Sequence, residues 1–274
     1  MAHRPDARDL FPTGVARLSD TRFRVPAHWP RAHRFFAPVK GHQDPLLIAE
    51  TMRQAAMLVC HAELGVPLGD AFVMWELHYT TAAEHLVLGD DPWDVMVEVE
   101  CSGIRRRGRG LGSMRLGFSL RRDGVVIAVC DARISCTSAA AYHRLRGHRS
   151  AAAPLPPPPA LAPRSAGRTS ERDVVLGPPV APGRWPLRLD TGHPTLFGRP
   201  NDHVPGILLL EAARQAAHAT VPGFLPVTLR SGFLRYVELD RPCWVEATTE
   251  PAGVRVRAVQ DGETVFTCTL GRPV

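Results

Sequence analysis

Lysine is almost absent from the sequence: of its 33 basic residues, Lys40 is the only lysine, and the formal net charge is +6. The arginines are neither interleaved with aromatic residues nor arranged in a helix-turn-helix pattern, so nucleic acid is not the expected partner. No apolar run approaches the roughly eighteen residues of a membrane-spanning helix. Residues 1–12 contain Arg and Asp but no apolar stretch, which predicts no secretory signal. We therefore expect a soluble, cytoplasmic protein.

Closely spaced cysteines are also missing. The six cysteines stand singly among apolar residues, with no CxxC pair. A structural zinc site needs clustered thiols or imidazoles. We therefore expect buried, reduced cysteines and neither a metal nor a cofactor.

Proline is concentrated in one segment. Residues 146–172 are rich in Pro, Ala, Gly and Ser and include the run Pro156 to Pro159. Consecutive prolines donate no backbone hydrogen bonds and favour an extended path. Because each flank has its own apolar content, we predict an N-terminal domain at 1–145, a Pro-rich linker at 146–172 and a C-terminal domain at 173–274.

An internal repeat supports two domains. Six positions around Glu50 have identical counterparts, at one constant offset, around Glu211. They are Leu47, Glu50, Arg53, Gln54, Ala55 and Ala56 in the first half and Leu208, Glu211, Arg214, Gln215, Ala216 and Ala217 in the second. Both segments are rich in Ala and Leu and lack internal breakers, which predicts helices over about 46–64 and 207–220.

Each predicted helix precedes four segments rich in Val, Ile, Met and Phe. The predicted strands are 72–79, 94–102, 112–121 and 125–136 in the first half and 227–236, 242–249, 254–259 and 264–270 in the second. Asp123-Gly124 and Asp261-Gly262 predict the last hairpin turn of each set. A helix that is apolar nearly all round must be wrapped by other structure. The expected fold is therefore α+β, a double hotdog with two copies of a long central helix wrapped by a curved antiparallel sheet.

Both helices carry a polar stripe on an otherwise apolar surface. Its members are Glu50, Arg53 and Gln54 in the first helix and Glu211, Arg214 and Gln215 in the second. Residues three and four apart share a helix face, and an unpaired buried charge costs several kcal/mol. Two interpretations remain open: each Glu–Arg pair neutralises itself and anchors the sheet, or the stripe lines a substrate cavity where the two domains face each other.

Histidines stand in the loop before each helix. His33 and His42 precede the first helix, and His193 and His203 precede the second, which Gly206 opens. Backbone N–H groups at a helix start can polarise a thioester carbonyl or bind a phosphate. We expect these residues, with the two glutamines of the stripe, to contact substrate.

The densest basic cluster, Arg105 to Arg107 with Arg109, lies in a glycine-rich stretch that we interpret as a loop between strands. Such a loop suits nucleic acid or the acidic surface of a carrier protein.

The segment from Asn201 to Gln215 resembles the signature of the A-factor synthase (AfsA-like) family, and the stretch from Trp29 to Glu50 resembles that family's first repeat. The likeness covers about residues 14–140 and 183–272. It implies a cytoplasmic acyltransferase that joins a β-ketoacyl group from acyl carrier protein to dihydroxyacetone phosphate. The ester then cyclises by intramolecular aldol condensation to a butenolide, the precursor of γ-butyrolactone signals.

A more distant likeness concerns the helix start. Pro205-Gly206 followed by Glu211 resembles β-hydroxyacyl carrier-protein dehydratases, which pair a loop histidine with the helix carboxylate. Phe197 stands where that histidine is expected, so dehydration is disfavoured, and Arg214 indicates an anionic substrate. Another thioester enzyme on this fold, a dehydratase or thioesterase, and a non-catalytic lactone- or acyl-binding protein remain alternatives. The oligomeric state is open, a homo-oligomer included.

The residue types are compatible with the implied reaction. Glu50 or Glu211 is the expected base for the attacking hydroxyl, provided that burial raises its pKa. Arg53 or Arg214 suits the phosphate. Our preferred combination is Glu50 with Arg214, one residue from each half, with the acyl tail in an apolar inter-domain cleft. Replacing either by Ala or Gln is then expected to abolish product and leave thermal unfolding nearly unchanged.

Overall fold

The computed structural model describes residues 3–89, 93–108, 110–149 and 153–273. The chain forms two compact units, Met1–Leu145 (unit 1) and Arg146–Val274 (unit 2). Each unit combines one long helix with an antiparallel sheet, so the predicted α+β class is confirmed.

The described residues of unit 1 form six strands. Its elements are β1 (Ala16–Arg17), β2 (Arg22–Trp29), α1 (Leu46–Ala62), β3 (Ala71–Thr81), β4 (Trp93–Arg107), β5 (Gly110–Arg122) and β6 (Val125–Thr137), with α2 (Ala139–Arg146) at the boundary. The strand order is β1-β2-β4-β5-β6-β3, and every neighbouring pair is antiparallel.

Helix α1 packs against β2, β3 and β4. Fourteen of its seventeen residues are buried, as the apolar sequence predicts. The Trp29 indole on β2 donates a hydrogen bond of 2.7 Å to the Thr51 hydroxyl and stacks on Trp93 of β4. These contacts fix the helix on the sheet and thereby fix the position of its polar stripe.

Unit 2 repeats the design, with five strands among its described residues. Its elements are β7 (Arg184–Pro186), α3 (Gly206–Thr220), β8 (Thr228–Phe233), β9 (Cys243–Glu250), β10 (Gly253–Gln260) and β11 (Glu263–Gly271). The strand order is β8-β11-β10-β9-β7, again antiparallel throughout. Helix α3 packs against β9, β10 and β11.

The two predicted hairpin turns are confirmed. Asp123 and Gly124 have φ values of 49° and 79°, and Asp261 and Gly262 have 53° and 78°. Positive φ at both central residues is the requirement of the tight turn that suits twisted strands, and Asp-Gly accepts it with little strain.

The basic cluster is not a loop. Arg105 to Arg107 belong to β4, whereas Arg109 lies outside the described residues. The pairing of β4 with β2 stops at Glu100, and that of β5 with β6 begins only at Ser113. The end of the β4–β5 hairpin, residues 105–108 and 110–112, therefore pairs with neither β2 nor β6, and we name it the basic arm.

The described part of the Pro-rich segment predicted as a linker packs on unit 2. The backbone N–H of Leu155 donates to the Leu239 carbonyl, and that of Leu161 donates to the Leu176 carbonyl. Ala166 is completely buried, close to α3. The extended proline run is an integral edge of unit 2 that brings the following residues to the central helix.

Candidate functional site

Glu50 is the centre of a buried polar network in unit 1. Its carboxylate accepts hydrogen bonds from Arg53, at 3.0 Å from Nε and 2.7 Å from Nη2, and from Arg4 Nε at 2.8 Å. We name the first carboxylate cluster by its members: Arg4, Asp9, His33, Glu50, Arg53 and Gln54. The intrahelical Glu–Arg pair expected from the stripe is present, and a second arginine from the N-terminal segment joins it.

Gln54 connects the carboxylate to the N-terminal segment. Its Nε2 donates to Glu50 Oε1 and to the Asp9 carbonyl, both at 2.7 Å, and its Oε1 accepts from the Phe11 backbone N–H at 2.9 Å. Both N–H bonds and the carbonyl of this amide are therefore engaged within unit 1. Gln54 thus ties the Glu50 carboxylate to the N-terminal segment, and its expected contact with substrate stays a prediction.

His33 is buried and also belongs to the network. Its Nδ1 accepts the backbone N–H groups of Phe35 and Phe36, each at 3.0 Å, so the ring hydrogen resides on Nε2. That nitrogen lies 3.0 Å from Asp9 Oδ1. The imidazole therefore orders the loop before α1 and holds the Asp9 carboxylate.

Unit 2 builds the same network around Glu211. Arg168 Nε donates at 2.8 Å, and Arg214 donates at 2.8 Å from Nε and 2.7 Å from Nη2. The second carboxylate cluster consists of Arg168, Asp173, His193, Glu211, Arg214 and Gln215.

The remaining contacts of the second cluster also repeat those of the first. Gln215 donates to Glu211 and to the Asp173 carbonyl, and it accepts from the Val175 N–H. His193 Nε2 lies 3.1 Å from Asp173 Oδ1, and its Nδ1 accepts two loop N–H groups. Duplication has thus preserved the whole network.

Sequence reasoning missed four members of these clusters, Arg4, Asp9, Arg168 and Asp173. A signal was available, because the pattern Arg-x-x-x-Arg-Asp occurs at residues 4–9 and again at residues 168–173. The first copy lies in residues 1–12, which were considered only as a secretory signal, and the second straddles the predicted end of the linker.

The expected rise in the pKa of the two glutamates is wrong. Burial by itself would raise the pKa of Glu50, but Arg4 and Arg53 and the hydrogen bonds from Arg53 and Gln54 outweigh it and lower the pKa to about 2. Arg168 and Arg214 lower the pKa of Glu211 to about 2 in the same way. Both side chains are therefore carboxylates at neutral pH and weak proton acceptors.

These pKa values predict an acid-sensitive fold. A carboxyl whose pKa falls from 4.5 in the unfolded chain to about 2 in the folded protein stabilises the fold above pH 4.5, and this stability is lost as pH falls towards 2. We expect the urea midpoint to drop between pH 5 and pH 2, with a loss on the order of a few kcal/mol. In Glu211→Gln the drop should be shallower; parallel profiles for the two proteins would contradict this origin.

For the other predicted site residues, the hydrogen bonds and packing contacts described next are to residues outside the two clusters. His42 is half-buried, with Nδ1 3.0 Å from the Lys40 carbonyl oxygen. His203 Nδ1 lies 2.7 Å from Asp202 Oδ1, and its ring meets Tyr236 edge-on. Gly206 starts α3, and a Cβ there would lie 3.1 Å from the Phe233 ring, so packing explains the glycine. Their expected contact with substrate stays a prediction.

The first backbone N–H groups of α1 are already engaged in hydrogen bonds within the protein. At α1, the Leu46 N–H donates to Asp44 Oδ1 at 2.9 Å and the Leu47 N–H donates to the Asp44 carbonyl at 2.9 Å. The protein itself therefore uses these donors, which argues against an oxyanion site at the first residues of α1.

The clusters also differ in solvent exposure. The Arg53 side chain is 23% exposed, whereas those of Arg214 and Arg168 are 3% and 4% exposed. The first cluster therefore contains an arginine side chain that is partly exposed to solvent, whereas the second, whose arginine side chains are buried, is closed. The arginines described above that bind each carboxylate come from the same unit as that carboxylate. The preferred combination of Glu50 with Arg214 stays a prediction.

A surface groove of about 590 Å³ lies on β2, β4 and the β5–β6 turn of unit 1. It is lined by residues that include His28, Asp94 and Arg121, and by none of the site residues described above.

Within the described ranges, no His, Cys, Asp and Glu side chains form a group of three or more suited to a metal ion. No helix in that part of the chain combines the length and apolar character of a membrane span. All six cysteines are buried.

Comparison with known proteins agrees with the duplicated design. The family model of the A-factor biosynthesis hotdog domain matches residues 1–138 and 150–270. A 2-oxo-3-(phosphooxy)propyl 3-oxoalkanoate synthase of Streptomyces virginiae is 49% identical over 99% of this chain and 95% of its own length. The protein of the same name from Streptomyces coelicolor is 46% identical over 100% and 90%.

Solved structures agree on the fold alone. The 12:0-ACP thioesterase from Umbellularia californica has a TM-score of 0.56 at 14% identity, with 94% of this chain and 100% of the thioesterase covered. An acyl-ACP thioesterase from Bacteroides thetaiotaomicron also gives 0.56, at 12% identity and coverages of 90% and 97%. The predicted hotdog fold is confirmed, and the chain belongs to the A-factor biosynthesis hotdog-domain family.

Proposed function

We propose that the protein transfers a β-ketoacyl group from acyl carrier protein to dihydroxyacetone phosphate and releases 2-oxo-3-(phosphooxy)propyl 3-oxoalkanoate. The observation that carries this proposal is the 49% identity, over almost the whole of both chains, to a synthase named for that ester. Both substrates are cytoplasmic metabolites, so we propose the cytoplasm as the place of action.

The reaction is an ester-forming acyl transfer. The free hydroxyl oxygen of dihydroxyacetone phosphate bonds to the thioester carbonyl carbon, the C–S bond breaks, and the carrier thiol leaves with the hydroxyl proton. Intramolecular aldol condensation of the ester, with loss of water, then gives the butenolide precursor of a γ-butyrolactone or related signal.

Arg53 is the proposed ligand of the substrate phosphate. Its guanidinium offers a fork of donors suited to phosphate oxygens, and the side chain as a whole is 23% exposed. Glu50 keeps this fork in place through two hydrogen bonds. Because its pKa is about 2, we assign Glu50 the role of orienting Arg53 and not that of general base.

The reaction can be tested with purified protein, a β-ketoacyl carrier-protein thioester and dihydroxyacetone phosphate, with products weighed by mass spectrometry. We expect the phosphorylated ester and free carrier thiol in equal amounts. Thioester loss without dihydroxyacetone phosphate would indicate a thioesterase instead, and loss of water from a β-hydroxyacyl carrier-protein thioester, with the thioester intact, would indicate a dehydratase. Saturable binding of a lactone without thioester consumption would indicate a ligand-binding protein.

The basic arm is the proposed docking surface for the carrier protein. Between Glu100 and Asp123 the sequence holds seven arginines and no acidic residue. Arg105 to Arg107 are exposed and, within the described residues, form no ion pair. A carrier protein presents an acidic surface and a phosphodiester-linked arm, which this charge would attract.

Docking predicts a selective loss of affinity. With Arg105, Arg106 and Arg107 replaced by Ala, the KM for the carrier-protein thioester should rise about tenfold at low salt, because electrostatic attraction between the partners is lost. The KM for the corresponding pantetheine thioester should not change. The matched control removes the same charge elsewhere, by alanine at the exposed Arg144, Arg230 and Arg272. Equal effects in both variants would contradict docking at the arm.

A further inference from the structure

Gln43, just before α1, is a buried amide with unused hydrogen-bonding capacity. The residue is 0% exposed, and neither its Nε2 nor its Oε1 has a hydrogen-bond partner among the described residues. Its backbone N–H is satisfied, donating to the Leu86 carbonyl at 2.8 Å. Burying an amide without partners costs free energy, so such a group in a folded protein requires an explanation.

Unit 2 shows that the fold does not need this amide. Val204 occupies the corresponding position, since both residues stand seven places before the glutamate of their helix. Val204 is 2% exposed, and its backbone N–H also donates to a carbonyl, that of Val237, at 2.9 Å. An apolar side chain therefore fills this position in one copy, and only the other copy carries the unsatisfied amide.

We propose that Gln43 binds the hydroxyketone group of the acceptor substrate, an inference that rests on the proposed function. An amide offers an acceptor oxygen beside a donor nitrogen. Dihydroxyacetone phosphate offers the complement, a hydroxyl that donates beside a ketone that accepts. Gln43 Oε1 accepts from the attacking hydroxyl, and Nε2 donates to the ketone. A β-ketoacyl thioester in its keto form presents acceptors only, and so leaves Oε1 unsatisfied.

The direction of Arg53 agrees with this placement. Helical side chains lean towards the N-terminus of the helix, and the hydrogen bonds of Arg53 to Glu50, one turn earlier, show this lean. Its guanidinium is thus displaced towards the helix start that Gln43 precedes. A substrate held by its phosphate at Arg53 would have its hydroxyketone on the Gln43 side, which makes unit 1 the acceptor-binding copy.

The experiment compares Gln43→Val, which introduces the unit 2 residue, with the reciprocal Val204→Gln. Binding of dihydroxyacetone phosphate and of glycerol 3-phosphate, which lacks the ketone, is measured by calorimetry, alongside turnover and the thermal midpoint. We expect Gln43→Val to weaken dihydroxyacetone phosphate binding about 10- to 100-fold, through the loss of two hydrogen bonds, and to abolish its preference over glycerol 3-phosphate. Its midpoint should be unchanged or higher. Val204→Gln should lower the midpoint and leave the binding preference intact.

Two outcomes separate this inference from the proposed function. If the wild-type protein forms the ester and Gln43→Val binds and selects dihydroxyacetone phosphate normally, the role of Gln43 is wrong and the function stands. If the wild-type protein binds dihydroxyacetone phosphate in a Gln43-dependent way but forms no ester, the role of Gln43 stands and the function is wrong. A lower midpoint in Gln43→Val with unchanged binding would mark the amide as structural and overturn the inference.

Discussion

Replacing Glu211 with alanine is expected to lower the free energy of unfolding by about 3–5 kcal/mol, the range for breaking a buried ion pair from one side. The Glu211 carboxylate is fully buried and receives hydrogen bonds from Arg168, Arg214 and Gln215. Without it, two guanidinium groups with exposed fractions of 3–4% would lie around a site with no negative charge. Urea unfolding followed by tryptophan fluorescence measures the effect.

A surface glutamate provides the control. Glu263 has a side chain that is 62% exposed and lies 3.6 Å from Arg235, so Glu263→Ala should change stability by less than about 1 kcal/mol. A triple variant that combines Glu211→Leu, Arg168→Met and Arg214→Met removes the three buried charges together. It should therefore be more stable than Glu211→Ala. A loss below about 1 kcal/mol in Glu211→Ala would contradict the structural role of the second cluster.

The sequence alone led to the expectation that altering Arg214 would leave unfolding nearly unchanged. That expectation treated the polar stripe as lining a cavity. The Arg214 guanidinium is instead 3% exposed and bound to Glu211, so its loss should also destabilise the fold. In unit 2 the alternative of a self-neutralising pair that anchors the structure is the better description.

The central helices and the last hairpin of each unit could be predicted because their signals are local. An Ala- and Leu-rich composition without internal breakers identifies α1 and α3, and Asp-Gly identifies the turns. Strand β2 was missed although its burial alternates, because Pro26 within it argues against a strand. Pro26 pairs with Met96 at a position where the ladder tolerates it, which only the register reveals.

The site could be predicted only in part, for a similar reason. Glu50, Arg53 and Gln54 share a helix face, so their proximity follows from helix geometry. Arg4 and Asp9 reach the same point through tertiary folding of a segment with little local pattern. The second arginine also decides the sign of the pKa change, because the sequence shows one guanidinium for each carboxylate whereas the folded cluster has two.

Duplication thus gave two copies of one network that now differ in the exposure of their arginine side chains to solvent. The second copy is closed and has an apolar residue, Val204, at the position of Gln43. The first copy exposes Arg53 and keeps the unsatisfied amide of Gln43. Stability is expected to depend mainly on the closed copy, and recognition of the acceptor substrate on the open one.

The sharpest separation of these roles is expected from Arg53→Gln. Loss of a charge-assisted contact to phosphate should lower kcat/KM for dihydroxyacetone phosphate on the order of 100-fold. The unfolding midpoint should change little, because the Arg53 side chain is 23% exposed, against 3% for Arg214, and Arg4 and Gln54 still bind Glu50. With dihydroxyacetone, which lacks the phosphate, Arg53→Gln and the wild-type protein should react equally slowly. The same change in the closed copy, Arg214→Gln, should instead lower the midpoint and leave the ratio of the two substrates unchanged. If Arg53→Gln loses activity equally with both substrates, the phosphate is bound elsewhere.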